Sequence, residues 1–151
     1  MLRVSDTKQE PSCIEFRMGA ANAPDSPWGR DELDVFRDGR VVYRNLRDES
    51  ARSLTARLAR EVTDRLFAAL AASPFPRAPS DPIPPGGSLI ELTAKLPGED
   101  ASVNLDYHAA RKKPGYDVVV RMLTGWTGLL RAPANKRPGS DELTQIVELP
   151  T

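Results

Sequence analysis

The segment from Arg52 to Ser73 constrains the fold more than any other part of the sequence. Its large apolar residues recur every fourth position, and two alanines fall within the same arc: Leu54, Leu58, Val62, Leu66 and Leu70, with Ala59 and Ala69. On a helix, where successive residues are ~100° apart, this spacing makes one broad apolar face opposite a charged one. Pro74 ends the segment because it lacks an N–H donor and restricts the residue before it. We therefore predict one amphipathic helix over residues 52–73, which needs an apolar surface to lie on.

A β-hairpin is predicted just before this helix. An Asp-Gly pair at 38–39 separates two strand-like runs, 33–37 and 40–46. Asp-Gly favours a two-residue type I′ turn, because glycine accepts a positive φ and aspartate tolerates it. That turn places Phe36 opposite Val41. With this register neither face of the hairpin is cleanly apolar.

Three further runs alternate apolar and polar residues, which is the period of a half-buried strand. They are residues 14–18, 90–96 and 103–107, and the last two are separated by a Pro-Gly-Glu-Asp turn at 97–100. We predict one strand before the first hairpin and a second hairpin after the helix. The alternation indicates an antiparallel sheet that is covered on one face only.

The predicted order of elements is three strands, a helix, two strands, a helix and a C-terminal tail. The second helix is residues 116–131, whose apolar residues recur at helical spacing despite two glycines. Segregated strands and helices favour an α+β two-layer sandwich, here a mostly antiparallel sheet of about five strands with two helices on one face. We predict a flexible tail over residues 1–12, a single domain over 13–131 and a Pro-containing extension over 132–151, with strand or helix both possible after residue 140.

The composition excludes several classes of function. The chain has 151 residues, and its 21 Lys and Arg balance its 21 Asp and Glu. A general nucleic-acid or membrane-surface protein would carry a basic surplus, so we expect neither partner. No apolar run is long enough for a signal peptide or a transmembrane helix, which favours the cytoplasm. Cys13 is the only cysteine, so no intramolecular disulfide forms, and we expect its thiol to be buried and inert.

The motifs of catalysis and metal binding are missing. Asp106 and His108 would point the same way on a strand and would make an acid–base pair at the mouth of the sheet, although a solvent-facing pair is the simpler interpretation. Asp31, Glu32 and Asp34 form the densest acidic cluster, but the spacing of a calcium loop is absent. We therefore predict no catalytic residue, no metal and no cofactor.

Two long connections stand out. Residues 19–31 form a loop rich in Gly, Pro, Asn and Asp that carries Trp28, and residues 74–87 contain six prolines. Long loops are often functional, and exposed aromatic residues are enriched at interfaces. The proline-rich run is better explained as a stiff connection. The predicted partner-binding residues are Trp28, Arg30, Asp31 and Asp34 on one side of the molecule, with Arg111, Lys112 and Lys113 on another.

These observations favour a non-catalytic protein-binding module of a bacterial cytoplasm. Immunity and accessory proteins, which block or assist another protein through surface complementarity, are the class that fits. One alternative is a small-molecule binder or small enzyme that uses the groove between sheet and helices, with Asp106 and His108. A second alternative is a structural subunit of a homo-oligomer, for which a homodimer is the simplest case.

Overall fold

The computed structural model describes residues 10–20, 30–47, 50–77 and 88–150, which form one antiparallel sheet and three helices. The seven strands described are β1 (Cys13–Ala20), β2 (Arg30–Phe36), β3 (Arg40–Arg47), β4 (Ser50–Leu58), β5 (Ser88–Leu96), β6 (Glu99–Asp106) and β7 (Leu143–Glu148). The helices are α1 (Arg60–Ala72), α2 (Tyr107–Ala110) and α3 (Tyr116–Arg131). The α+β class and the antiparallel sheet are confirmed, whereas the prediction of about five strands and two helices was too low. Trp28 and most of the 74–87 connection lie outside the described residues.

The largest correction concerns the predicted helix over residues 52–73. Its first half is strand β4, and α1 begins only at Arg60. A spacing of four residues is an even number, so it keeps Leu54 and Leu58 on one face of a strand as well as on one face of a helix. Ala59 is extended, at φ −58° and ψ 146°, and marks the change. Residues 50–58 form a strand rather than a helix because they pair with β3, whose edge would otherwise have no neighbour.

The first hairpin has a three-residue loop rather than the predicted two-residue turn. Val35 lies opposite Val41, so the predicted pairing of Phe36 with Val41 was wrong by one residue. Gly39 has φ +96°, and its N–H donates to the Phe36 carbonyl over 2.9 Å. The shift matters because neighbouring residues of a strand face opposite sides. With the observed register, the apolar residues of both strands share one face: Leu33, Val35, Val41 and Tyr43.

The second hairpin is present as predicted, but its turn is residues 97–98 rather than 97–100, and Glu99 and Asp100 already belong to β6. Residues 97–98 connect β5 to β6, and Leu96 pairs with Glu99 across the turn. The buried side chains of this hairpin are Ile90, Leu92, Ala94, Val103 and Leu105. The strand ends at Asp106, one residue earlier than predicted, because Tyr107 already belongs to α2.

The order of strands across the sheet is β6-β5-β1-β2-β3-β4-β7. The final strand, β7, lies within the segment that the sequence analysis treated as an extension, and it pairs with β4 at the edge. Its conformation, left open between strand and helix, is a strand. Residues 143–148 therefore belong to the sheet.

All the apolar side chains of the strands that point to one side join α1 and α3 in a single core. We call the opposite side of the sheet the open face: it carries the residues that alternate with the core residues, among them Glu15, Arg17, Glu32, Asp34 and Arg44. No helix in the described part of the chain covers it. None of the described helices is long and apolar enough to cross a membrane.

Gly39 and Gly98 make a matched test of the first hairpin. Both have a positive φ, +96° and +86°, but a β-carbon on Gly39 would lie 2.9 Å from the Leu58 carbonyl oxygen, whereas one on Gly98 would meet nothing within 4 Å. Alanine at either position adopts a disfavoured backbone conformation that costs ~1 kcal/mol or more. We expect Gly39→Ala to lower the free energy of unfolding by at least ~1 kcal/mol more than Gly98→Ala, because only the first also displaces β4. Urea denaturation of both variants measures this, and equal losses would contradict the observed packing of the loop against β4.

Candidate functional site

Arg17 is the centre of a charged cluster on the open face. Its guanidinium donates to Asp34 Oδ1 over 2.7 Å, and it lies 3.6 Å from a carboxylate oxygen of Glu32 and 3.8 Å from one of Glu15. The pairing of β1 with β2 produces this arrangement, because Arg17 lies opposite Glu32 and Glu15 lies opposite Asp34. Directly opposed side chains of unlike charge stabilise a strand pair.

Three further cations extend the cluster across four strands. Arg44 on β3 lies 3.0 Å from Glu32, and Arg30 on β2 lies 3.6 Å from the same carboxylate. Lys95 on β5 lies 3.8 Å from Glu15 and 2.8 Å from Asp100. Glu15 and Glu32 are thus each shared by more than one cation, whereas Asp34 pairs with Arg17 alone among the described residues.

Exposure separates these charges by sign. The outer cations are the most exposed, with 51%, 45% and 40% of the side chain accessible, whereas the inner carboxylates reach only 26%, 14% and 15%: Arg30, Arg44 and Lys95 against Glu15, Glu32 and Asp34. Two members do not follow this pattern: Asp100, beside the turn of the second hairpin, is 48% exposed, and the central Arg17 is only 13% exposed. A molecule that approaches the middle of the open face therefore meets cations first.

Arg17 stays charged at the centre of the cluster. Burial alone would lower the pKa of Arg17, but the hydrogen bond and charge of Asp34, together with Glu32 and Glu15, raise it above its ordinary value. Cys13 lies on the same face of β1 and is buried, as predicted. Burial, followed by the charges of Asp34 and Glu15, raises the pKa of its thiol to about 12. A thiol that remains protonated is a poor nucleophile, so Cys13 offers no covalent chemistry here.

Asp31 belongs to the opposite side of the sheet. It is only 5% exposed, and its carboxylate accepts hydrogen bonds from Tyr43 Oη at 2.6 Å and from Asn45 Nδ2 at 2.9 Å. The guanidinium of Arg131, the last residue of α3, donates to the same carboxylate. This Asp31 cluster joins the end of α3 to β2 and β3. Burial and the Asp31 carboxylate raise the pKa of Tyr43.

The acidic run that the sequence suggested as one patch is therefore divided. Asp31 points to the core side of the sheet, whereas Glu32 and Asp34 belong to the charged cluster of the open face. The alternation of side chains along a strand requires this division. Of the predicted partner-binding residues, Arg30 and Asp34 lie on the open face. Asp31 is not available to a partner, because its oxygens are occupied within the fold.

The basic residues 111–113 lie elsewhere. They follow α2, which contacts β5, β6 and α3 on the helix side of the sheet. The Arg111 guanidinium lies 5.4 Å from the centre of the Tyr107 ring. The structure therefore does not join Arg111, Lys112 and Lys113 to Arg30 and Asp34.

Asp106 and His108 do not form an acid–base pair. Asp106 caps α2, with its Oδ2 accepting from the Ala109 N–H over 3.0 Å, and its Oδ1 has no hydrogen-bond partner among the described residues. His108 is exposed on α2, with its ring edge against Tyr107. The predicted geometry fails because the chain turns into a helix at Tyr107, where residues two apart no longer share a face.

Glu15, Arg17, Arg44 and Lys95 were not predicted to be members of one site. Each alternates with a buried apolar residue on its own strand, which marks it as outward-facing. The pairing of β1 with β5 brings Lys95 to Glu15 across 80 residues of chain. That pairing depends on tertiary structure and leaves no local signal in the sequence.

No protein-family model matches the chain, and no curated protein matches it. Within the described ranges, no group of three His, Cys, Asp or Glu side chains is arranged to hold a metal ion.

The Asp31 cluster predicts a large difference between two aspartates. Asp31→Ala leaves the Tyr43 hydroxyl and the Asn45 amide without their acceptor and should lower the free energy of unfolding by ~2–4 kcal/mol. Asp100→Ala removes a carboxylate that is 48% exposed and paired with Lys95, and should cost less than ~1 kcal/mol. Chemical denaturation of the two variants measures both values. A loss at Asp31 no greater than that at Asp100 would show that the cluster does not hold α3 to the sheet.

Proposed function

We propose that this protein is a non-catalytic protein-binding module of a bacterial cytoplasm, of the immunity or accessory type, and that it binds its partner through the open face. The observation that carries the proposal is the arrangement of charge there: exposed Arg30, Arg44 and Lys95 surround carboxylates that are only partly exposed. A partner that presents Asp and Glu side chains at matching positions fits this face. The bacterial cytoplasm is part of this proposal and rests on the sequence alone.

The charges of the open face are held in place before any partner arrives. Glu32 lies within 3.6 Å of three different guanidinium groups, those of Arg17, Arg30 and Arg44. Long cationic side chains normally lose conformational freedom when they are immobilised at an interface, at ~0.5–1.5 kcal/mol each. Because the fold already restrains these cationic side chains, they lose less conformational freedom when a partner binds. Complementary charge also accelerates the encounter and rejects partners of the wrong sign.

The open face has the area that a stable interface needs. Seven strands ~4.8 Å apart, each ~8 residues long with a rise of ~3.3 Å per residue, span roughly 800 Å². Standard protein–protein interfaces bury about 800 Å² on each partner. Its charged side chains are spread over four neighbouring strands, β5, β1, β2 and β3, and so wide an array suits a folded protein better than a small molecule.

Two arginines provide a charge-matched test. Arg44 on the open face lies 3.0 Å from Glu32, and Arg65 on α1 lies 3.2 Å from Glu142, so each makes one ion pair at a similar distance. The partner is first isolated by affinity purification from the organism that encodes the protein, and its Kd is then measured. We expect Arg44→Glu to weaken binding at least tenfold, about 1.4 kcal/mol, and more at low salt than at high salt. Arg65→Glu should leave Kd within twofold of the wild-type value.

Three results would contradict this assignment. One is that no partner is recovered. The second is that both substitutions weaken binding equally, which would indicate a general charge effect. The third is that light scattering finds a stable homodimer that Arg44→Glu dissociates, which would make the open face a self-association surface. Circular dichroism and thermal melting confirm that each variant is folded.

A further inference from the structure

A second surface lies on the helix side of the sheet, at the corner where α1 meets the tip of the second hairpin. We call this concavity, of about 690 Å³, the corner groove. Its apolar lining comes from α1, from the segment after α1 and from the two strands: Phe67, Leu70, Phe75, Pro76, Leu96 and Ala101. Pockets of this size accept small molecules or several side chains of a peptide.

The rim of the corner groove carries a surplus of negative charge. Glu10, Asp64 and Glu99 line it, against one cation, Arg37. Arg37 is already engaged, because its Nε donates to Glu10 over 2.7 Å and its Nη1 to Asp64 over 2.8 Å. Its guanidinium also lies 5.1 Å from the centre of the Phe67 ring, which fixes it against the groove wall.

Glu99 is the rim charge most available to a ligand. It is exposed at the start of β6 and makes no ion pair with another described residue. An ammonium or guanidinium group placed beside it would gain a charge-assisted hydrogen bond. Arg37, the one cation in the groove lining, does not pair with Glu99 because it already binds Glu10 and Asp64.

The groove adjoins the outer edge of β6. β6 is the terminal strand in the sheet order, and no described strand lies beside its outer edge. A free edge can hydrogen-bond an extended peptide through its backbone, while pockets beside it receive alternate side chains. Glu99 and Ala101 belong both to this strand and to the lining of the groove.

We propose that the corner groove binds a short extended segment of another protein, in which apolar side chains are flanked by lysine or arginine. The apolar side chains enter the groove, and the basic residue lies beside Glu99. This site is on the opposite layer from the open face and does not depend on the function proposed for that face.

Selection from a random twelve-residue peptide library on the immobilised full chain tests this proposal. We expect enriched peptides that combine apolar residues with Lys or Arg. The Kd of a labelled selected peptide, measured by fluorescence polarisation, should rise at least tenfold for Glu99→Lys. Glu61→Lys is the matched control, because Glu61 is an exposed carboxylate on α1 outside the groove, and it should change Kd less than twofold. Arg44→Glu should also leave this Kd unchanged, which separates the outcome from that of the open face.

Several results would overturn the proposal. Enrichment of no peptide or of acidic peptides would do so, as would a Kd that Glu99→Lys does not change. Leu2 and Val4 are apolar residues of the N-terminal segment. If peptides bound only after Leu2→Ser and Val4→Ser, the occupant of the groove would be that segment of the protein itself. If Glu99→Lys dissociated a homodimer, the occupant would be a second copy of the chain.

Discussion

The whole fold depends on the burial of only one face of the sheet. The sheet contributes apolar side chains to one face only, so both long helices must lie there and the other face must carry the charges. Which side chains are buried depends on the strand register, because a shift of one residue would exchange the two faces of a strand. The three-residue loop at Gly39 sets the register that puts Val35 and Val41 together on the core side. If that pairing slipped, the core and the charged cluster would be lost together.

Charge is used in two different ways on the two sides. Inside, Asp31 is satisfied by Tyr43, Asn45 and Arg131, and its role is to fasten the end of α3 to the sheet. Such a site is costly to disrupt and offers nothing to a partner. On the open face Glu15, Glu32 and Asp34 are partly shielded while Arg30, Arg44 and Lys95 are more exposed, and this is the charge pattern that we propose a partner recognises. The difference comes from burial rather than from residue type.

Some of this architecture can be read from the sequence, and some cannot. The second hairpin and α3 were predictable because alternation over seven residues and helical spacing over sixteen each fit one period alone. Leu54 and Leu58 were misread because a spacing of four satisfies both periods, and only the free edge of β3 decides between them. The acidic run at 31–34 could be divided once β2 was known to be a strand. The meeting of Lys95 with Glu15 could not be foreseen, because it depends on which strands become neighbours after long connections.

The most direct measurement compares two adjacent valines on β3. Val41 is 1% exposed and faces the core, whereas Val42 belongs to the open face. A soluble gadolinium chelate broadens the NMR signals of methyl groups that it can approach, so the methyl groups of Val42 should be broadened strongly and those of Val41 very little. Equal broadening of both, or protection of Val42, would contradict the one-sided sheet and, with it, the face through which we propose that the protein binds its partner.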